Sequence, residues 1–377
     1  MLRNTIFFLA ATAPLVAGYD CKRSPLAPAR PCPYPKKDEQ GAPKIEASVL
    51  IWQSKMEGLE FASKSFIEAD PFSTTQSFQE KLFIPDFAWN PGFKFAAGYN
   101  LPYDGWDAEA RYTYYHGELT DLKKTFDSQI GPVGVGIVPL WHYPFIEIPT
   151  TTNPLRFRYA SSAWKLNFNS MDLECGREFF TFPSLPMRLH LGAKAAWINQ
   201  TYKASYSGGT IFNGTLNSPI GSSYEYLTSK MVFASHLWGL GPRAGLDSRW
   251  NMKYGLSLIA DAALSLIYSH TKLTTKYDDT LLDQTAGDLI APHFRLKEKF
   301  SELTPALEAS LGLDWGHCFC CTGRPIYFGA SIAYEVQYWW SQNHARRNYP
   351  YNAPANMWDS RGALQMQGLT AALRWDY

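Results

Sequence analysis

After residue 18 the sequence has no run of roughly 18 uninterrupted apolar residues, the length a membrane-spanning helix requires, which excludes a helical anchor beyond that point. A surplus of either charge is also missing: 35 Lys and Arg face 34 Asp and Glu. Residues 1–18 contain one Arg and no acid, so the remainder is balanced and offers nucleic acid no electrostatic footprint. Catalytic signatures are absent as well. His116, His270, Asp278, Asp279, His293 and His344 fall in or beside segments that read as loops, yet no recognisable motif joins them. Neither enzyme activity nor a cofactor is expected. His317 with Cys318, Cys320 and Cys321 lacks the second paired motif of a metal cluster, so no metal site is expected either.

Aromatic residues, in contrast, are abundant: they make up 15% of the chain, with 22 Tyr and 13 Trp, more than a core of this size needs. The chain opens Met1-Leu-Arg3-Asn, continues through the apolar stretch from Ile6 to Ala17, and reaches the small residues of Val16-Ala17-Gly18. These features predict a secretory signal peptide over 1–18. A lipoprotein signal would need a small residue before Cys21, where Asp20 stands. Residues 19–43 carry six prolines, from Pro25 to Pro43, and predict an extended periplasmic tail. Residues 44–377 remain for the main domain.

Within that domain the dominant signal is a period of two. From Tyr254 to Tyr268 one face reads Tyr, Leu, Leu, Ala, Ala, Leu, Leu, Tyr, while the other holds Gly255, Ser257, Asp261, Ala263 and Ser265. Part of this stretch also fits a helical stripe, so its neighbours decide. Phe93, Phe95, Ala97 and Tyr99 oppose Lys94, Ala96, Gly98 and Asn100; beyond Asp104-Gly105, Trp106 to Tyr114 oppose Asp107, Glu109, Arg111 and Thr113. Similar alternation recurs near 188–197, 238–247, 307–315 and 326–338. Runs this long exceed soluble strands, which average five or six residues, and match strands with lipid outside and water inside. Near Asn169 the phase of Trp164, Leu166 and Phe168 changes to that of Met171, Leu173 and Cys175, which predicts a bulge.

Short connections near 100–105, 176–186, 248–253 and 317–325 alternate with long ones near 58–90, 116–155, 203–228, 270–295 and 343–360. The pattern predicts an all-β, antiparallel up-and-down transmembrane barrel of ten strands, with short periplasmic turns and long extracellular loops. Twelve strands is the alternative, if Val133–Ile148 forms a further hairpin; its four prolines favour a loop. The closing strand places Leu369, Ala371, Leu373, Trp375 and Tyr377 on one face, as in the C-terminal insertion signal of outer-membrane barrels.

Several blocks carry a more specific likeness. Leu50-Ile-Trp-Gln-Ser-Lys-Met-Glu-Gly-Leu-Glu-Phe61, Trp89-Asn-Pro-Gly-Phe-Lys-Phe-Ala-Ala-Gly-Tyr-Asn-Leu-Pro102, Trp238-Gly-Leu-Gly-Pro-Arg-Ala-Gly-Leu-Asp247, Tyr338-Trp-Trp-Ser-Gln-Asn343 and the closing strand, in that order, resemble the Legionella-type major outer membrane protein family, which also occurs in Chlamydia-like bacteria. The resemblance runs from about Ala47 to Tyr377 and implies a pore-forming barrel in a Gram-negative outer membrane. The Pro/Cys-rich tail and His317-Cys-Phe-Cys-Cys321 are not part of it.

The expected function is passive diffusion of small hydrophilic solutes through a narrow pore; the alternative is a structural or adhesive envelope protein whose loops bind. The expected pore-lining set is Lys94, Glu109, Arg111, Arg188, Lys194, Arg243, Asp247, Asp261, Glu308 and Glu335, whose mixed signs argue against strong ion selectivity. Expected partners are outer-membrane lipid and those solutes, with a homo-oligomer or disulfide-linked envelope proteins left open. Cys21, Cys32, Cys175, Cys318, Cys320 and Cys321 all fall at the periplasmic end of this topology, where disulfides are the default. Six cysteines allow 15 complete pairings. Cys318, Cys320 and Cys321 are too close in sequence to pair freely with one another, so at least one should bond the tail or a neighbouring molecule. Thiol-trapped envelopes on non-reducing gels should show oligomers that collapse with reductant; monomer alone would show that cysteines do not cross-link this protein.

Overall fold

Two consecutive residues with positive φ, Asp104 and Gly105, close one hairpin, and Tyr254 and Gly255 close another. Such pairs match the twist of antiparallel strands, and glycine reaches the second position without steric penalty. Tyr254 is therefore a turn residue, 93% exposed, and not the first rung of a strand. The computed structural model describes residues 41–376 except 69–76, 103, 120–121, 126–135, 143–156, 183–184, 212–223, 253, 285, 322–323 and 349–356. In chain order its strands are β1 (Ala42–Met56), β2 (Ala62–Glu68), β3 (Ser77–Phe83), β4 (Trp89–Asn100), β5 (Trp106–Glu118), β6 (Leu122–Thr125), β7 (Gly136–Pro139) and β8 (Tyr159–Phe182). They continue as β9 (Leu185–Ile211), β10 (Tyr224–Asn251), β11 (Leu256–Asp283), β12 (Leu289–Ile290), β13 (His293–Cys321), β14 (Arg324–Asn348) and β15 (Met357–Asp376).

Ten of these close into an antiparallel ring in the order β1, β4, β5, β8, β9, β10, β11, β13, β14, β15. The seam is the β1–β15 pairing, in register from Lys44↔Asp376 to Met56↔Leu364. Among the described residues of Val133–Ile148, β7 lies outside the ring, paired with β2 in a small three-stranded sheet with β3, so the ring has ten strands. β6 extends β8 and β12 extends β11 outside the ring.

Strand length departs from expectation. β9, β10, β11 and β13 span 27, 28, 28 and 29 residues, so 203–211, 224–228 and 270–283, within segments that read as long loops, are strand. The reason lies in the faces. On β11 the outward side chains Ala262, Leu264, Leu266 and Tyr268 are exposed and apolar, while from His270 onward the outward positions are His270, Lys272, Thr274 and Lys276. Inward, the change is opposite: Ser257 and Ser265 give way to Leu273, Tyr277 and Leu281. Below the girdle the barrel is inside-out for lipid, and above it the same strands pack like a soluble protein.

This inversion also removes the bulge expected near Asn169. β8 pairs β9 without a shift from Tyr159↔Ser207 to Phe180↔Pro186, and the single irregularity lies between Phe180 and Phe182. Trp164, Leu166 and Phe168 point in and are buried, whereas Met171 and Leu173 point out and are exposed. Both phases belong to one regular strand crossing the membrane surface.

The lipid belt is bounded by Trp197, Trp238 and Tyr268 above and by Trp106, Trp250, Trp315 and Trp375 below, all outward and exposed. From Trp238 to Trp250, at about 3.3 Å per residue and a tilt near 40°, β10 rises roughly 30 Å, the thickness of a bilayer's hydrocarbon core. Ala262→Arg, at mid-belt and facing lipid, should destabilise the folded barrel by roughly 2–4 kcal/mol, while Ser331→Arg, on the cavity wall between Asp314 and Glu335, should cost much less. Urea unfolding in lipid vesicles measures both, and equal losses would contradict the assignment of the two faces.

Candidate channel interior

The lower half of the barrel interior is polar because every second residue of each strand must point inward and lipid claims the others. A cavity of about 210 Å³ lies there, lined by residues beside the short turns such as Asn100, Met187 and Arg374. Seven of the ten expected pore residues line it: Lys94, Glu109, Arg111, Arg188, Asp247, Asp261 and Glu335. Six of the seven meet an opposite charge, and Asp261 meets a hydroxyl. Lys94 spans the lumen to Glu335, Lys44 Nζ lies 2.6 Å from Glu109 Oε2, and Arg111 Nη2 donates to Glu109 Oε1 at 2.7 Å. Arg188 joins three carboxylates, Asp107 at 2.7 Å, Glu174 at 3.0 Å and Asp247 at 2.7 Å. The hydroxyl of Ser310 donates to Asp261 at 2.7 Å.

Lys194, Arg243 and Glu308 are not on the cavity wall. They form a buried layer in which Glu308 receives both cations and Lys194 also reaches Asp172 at 2.8 Å. Lys194 Nζ sits 5.9 Å from the ring centre of Trp339, where the charged layer meets the aromatic one. A carboxylate placed in low dielectric is tolerated when its oxygens meet cations, and each of these does. Glu174, His190 and Asp247 also bring ligand-type atoms within 4.8 Å of one another. Arg188 already contacts both acids and Arg243 Nε lies 3.6 Å from Glu174, so the donor set is that of an ion-pair network and does not suit a metal cation.

Sequence reading missed Asp172, Glu174 and Lys44 as interior charges. The first two alternate with Met171, Leu173 and Cys175, so the inward signal that could have found them was present in the sequence. Cys175 points toward lipid and carries a free thiol; Cys318, Cys320 and Cys321 end β13, in register with Tyr327, Pro325 and Arg324, so they belong to a strand end more than to a turn. Cys21 and Cys32 lie outside the described residues.

Above the charged layer the interior is filled. Trp52, Tyr115, Trp164, Phe168 and Trp339 are under 2% exposed, with Phe168 and Trp339 meeting edge to face at 5.4 Å. Part of the filling comes from loop chain folded inward: Leu59 and Phe61 after β1, and Trp141 after β7, are all buried. This plug is fastened by polar contacts. Asn343 Nδ2 donates to the carbonyl of Glu57 at 2.8 Å, Arg347 Nη2 to Glu60 Oε2 at 2.7 Å, and Tyr202 Oη to the carbonyl of Leu59 at 3.0 Å. The Arg347 guanidinium also lies 4.4 Å from the ring centre of Trp141.

One fastening is unsatisfied. His142, next to Trp141, has Nδ1 3.1 Å from Ser229 Oγ and 3.6 Å from Asp279 Oδ2, far above the girdle. His142 Nε2, both Asp279 oxygens and the Tyr226 hydroxyl are buried without a hydrogen-bond partner within the protein. Burial, with Asp278 adding a smaller push, raises the Asp279 carboxyl to about 7, and burial holds the His142 imidazole down at about 3. The acid's folded value exceeds its ordinary 3.8, so its contribution to stability is full below that value and is lost as pH rises toward about 7. Asp279→Asn should therefore match the wild type at acidic pH and exceed it by roughly 2–4 kcal/mol at pH 8. Denaturant unfolding at the two pH values tests this, and an equal effect at both would show that Asp279 is not buried as an acid.

No curated protein matches the chain. The outer membrane protease OmpT from Escherichia coli is 10% identical over 89% of this chain and 96% of its own, with a TM-score of 0.33. A FadL homologue from Pseudomonas aeruginosa is 11% identical over 90% of each chain, with a TM-score of 0.20, and the outer membrane channel DcaP of Acinetobacter baumannii is 9% identical over 90% and 96%, at 0.12. Likeness this low carries no argument about activity. The model of a family, in contrast, described as Legionella pneumophila major outer membrane protein precursor, matches residues 35–377. This outer-membrane barrel belongs to the Legionella major outer membrane protein family.

Proposed function

We propose that the protein is a gated outer-membrane channel for small hydrophilic solutes, with the charged lower cavity as its vestibule and the inward loops as its gate. The observation that carries this reading is the composition of the closure. Eight-stranded barrels are sealed by their own wall side chains and sixteen-stranded ones hold open channels; here the upper interior is completed by loop residues Leu59, Phe61 and Trp141, held by a handful of polar contacts. A closure made of loop can leave without opening the wall. The vestibule beneath presents both charge signs, as passage of hydrophilic solutes without strong ion selectivity requires. The signal peptide over 1–18 and a periplasmic tail belong to the same proposal, as the route to the periplasm and an extension into it; the expected end of the tail at residue 43 moves back to 41, because β1 begins at Ala42 and pairs Pro43 with Tyr99.

A second reading, a structural envelope barrel, draws support from the burial of the interior aromatic residues. Planar-bilayer recording separates the two. The channel reading expects rare, small openings in the wild type and at least a several-fold higher open fraction in Arg347→Ala and Phe61→Ala, each of which loosens the plug. Folded protein that stays silent in the wild type and both variants would leave the structural reading in place.

A further inference from the structure

Charges inside and outside the barrel are arranged in contrasting ways. Every lumen cation described above meets an acid. On the outer wall above the girdle, β11 and β13 place Lys272 opposite Lys299, Thr274 opposite Lys297 and Lys276 opposite Arg295. All five cationic side chains lie on the exposed, outward face. Among the described residues, none of the five side chains has an ion pair or hydrogen bond. The nearby acids do not help them: Glu298 and Glu302 point inward to Arg346 and His344, and the outward Asp278 lies a row farther, opposite Lys230 and His293. Like charges directly opposite each other across an antiparallel pair destabilise it. Two such rows, with a further lysine between them, form a repulsive surface in which, among the described residues, none of the five is held in an ion pair.

Their position identifies what offsets this repulsion. The rows begin just above Tyr268 and Leu303, at the upper edge of the lipid belt. At about 3.3 Å per residue and a tilt near 40°, Lys272 stands roughly 10 Å beyond Tyr268, and lysine stems bend readily along a surface toward headgroups. The wall is thus apolar below and multiply cationic immediately above, continuous with the lipid contact and turned toward the outer leaflet. We infer that this face binds a phosphate-bearing lipid of the outer leaflet, its acyl chains against Leu266, Leu303 and Leu307 and its phosphates among the five cations. Arg295 supplies a guanidinium fork suited to two phosphate oxygens, and the lysines supply point charges. Filling the site removes the cross-strand repulsion, so bound lipid stabilises the barrel by linkage.

The test uses the full-length folded protein in neutral detergent, with purified lipopolysaccharide, the same lipid enzymatically dephosphorylated, and inorganic phosphate as probes. Native mass spectrometry reads retained lipid and heat unfolding reads stabilisation. The phosphorylated lipid should be retained and raise the unfolding midpoint, the dephosphorylated form should bind at least 10-fold more weakly, and millimolar inorganic phosphate should not displace the lipid. The triple variant Lys272→Gln, Lys297→Gln, Lys299→Gln should lose at least 10-fold in lipid affinity, yet be as stable as the wild type or more so without lipid. Lys203→Gln, outward on β9 at a similar height, should change neither. If the triple variant folds poorly, the single changes Lys272→Gln and Lys299→Gln decide, each expected to weaken binding about 3-fold. Undiminished lipid retention by the variants, equal binding of the dephosphorylated lipid, or displacement by free phosphate would overturn the inference.

Discussion

A strand in hydrocarbon has no water to satisfy its peptide groups, and each orphan costs several kcal/mol. That constraint fixes the topology here more firmly than any side chain does. The wall can have no edge, so β1, near the start of the described chain, must pair along its length with β15 at the end. Once closed, the wall divides its residues without remainder: whatever does not face lipid faces a confined interior. Arg188 among three carboxylates, or Glu308 between Lys194 and Arg243, follows from that confinement. An unmatched charge in such a space would carry its desolvation cost alone, so the interior ion pairs satisfy one another more than they add stability.

The membrane-embedded part of this plan was legible in the sequence because its code is local. Leu264 and Leu266 on one face with Ser265 between them state which way each residue points, and the count of such segments with their turns gave ten strands. Asp104-Gly105 named its own hairpin. Where the solvent changes, the code changes sign, and there the reading failed. Trp164, Leu166 and Phe168 followed by Met171 and Leu173 look like a slipped strand when one rule is applied throughout. They are one strand read in two solvents. The same change turned the upper parts of β9, β10, β11 and β13 into apparent loops, since outward Lys272, Thr274 and Lys276 carry no lipid signature.

The interior was legible to the extent that it belongs to strands. The inward charges of β4, β5, β9 and β10 were found from alternation, and Asp172 and Glu174, set between outward Met171, Leu173 and Cys175, carried the same signal without being singled out. The plug was not legible at all. Leu59, Phe61 and Trp141 are apolar residues in loop-like stretches, and nothing local distinguishes a loop that covers the barrel from one that enters it. Their burial depends on Tyr202, Asn343 and Arg347, which are distant in sequence.

The two halves of the barrel therefore differ in how they can move. In the lower half a change of shape would have to break backbone ladders in lipid or separate charges in a confined space, both costly. In the upper half the wall stands in water, and the plug is joined to it by side-chain contacts that water can replace, at roughly 0.5–1.5 kcal/mol for each neutral hydrogen bond. What resists opening there is chiefly the burial of apolar side chains such as Phe61 and Trp141, about 1.5–3 kcal/mol apiece. Motion that opened the proposed channel would thus be confined to the loops by the same rule that closes the ring. The mobile element must lie where backbone groups have an alternative partner, and in this molecule that place is above the girdle.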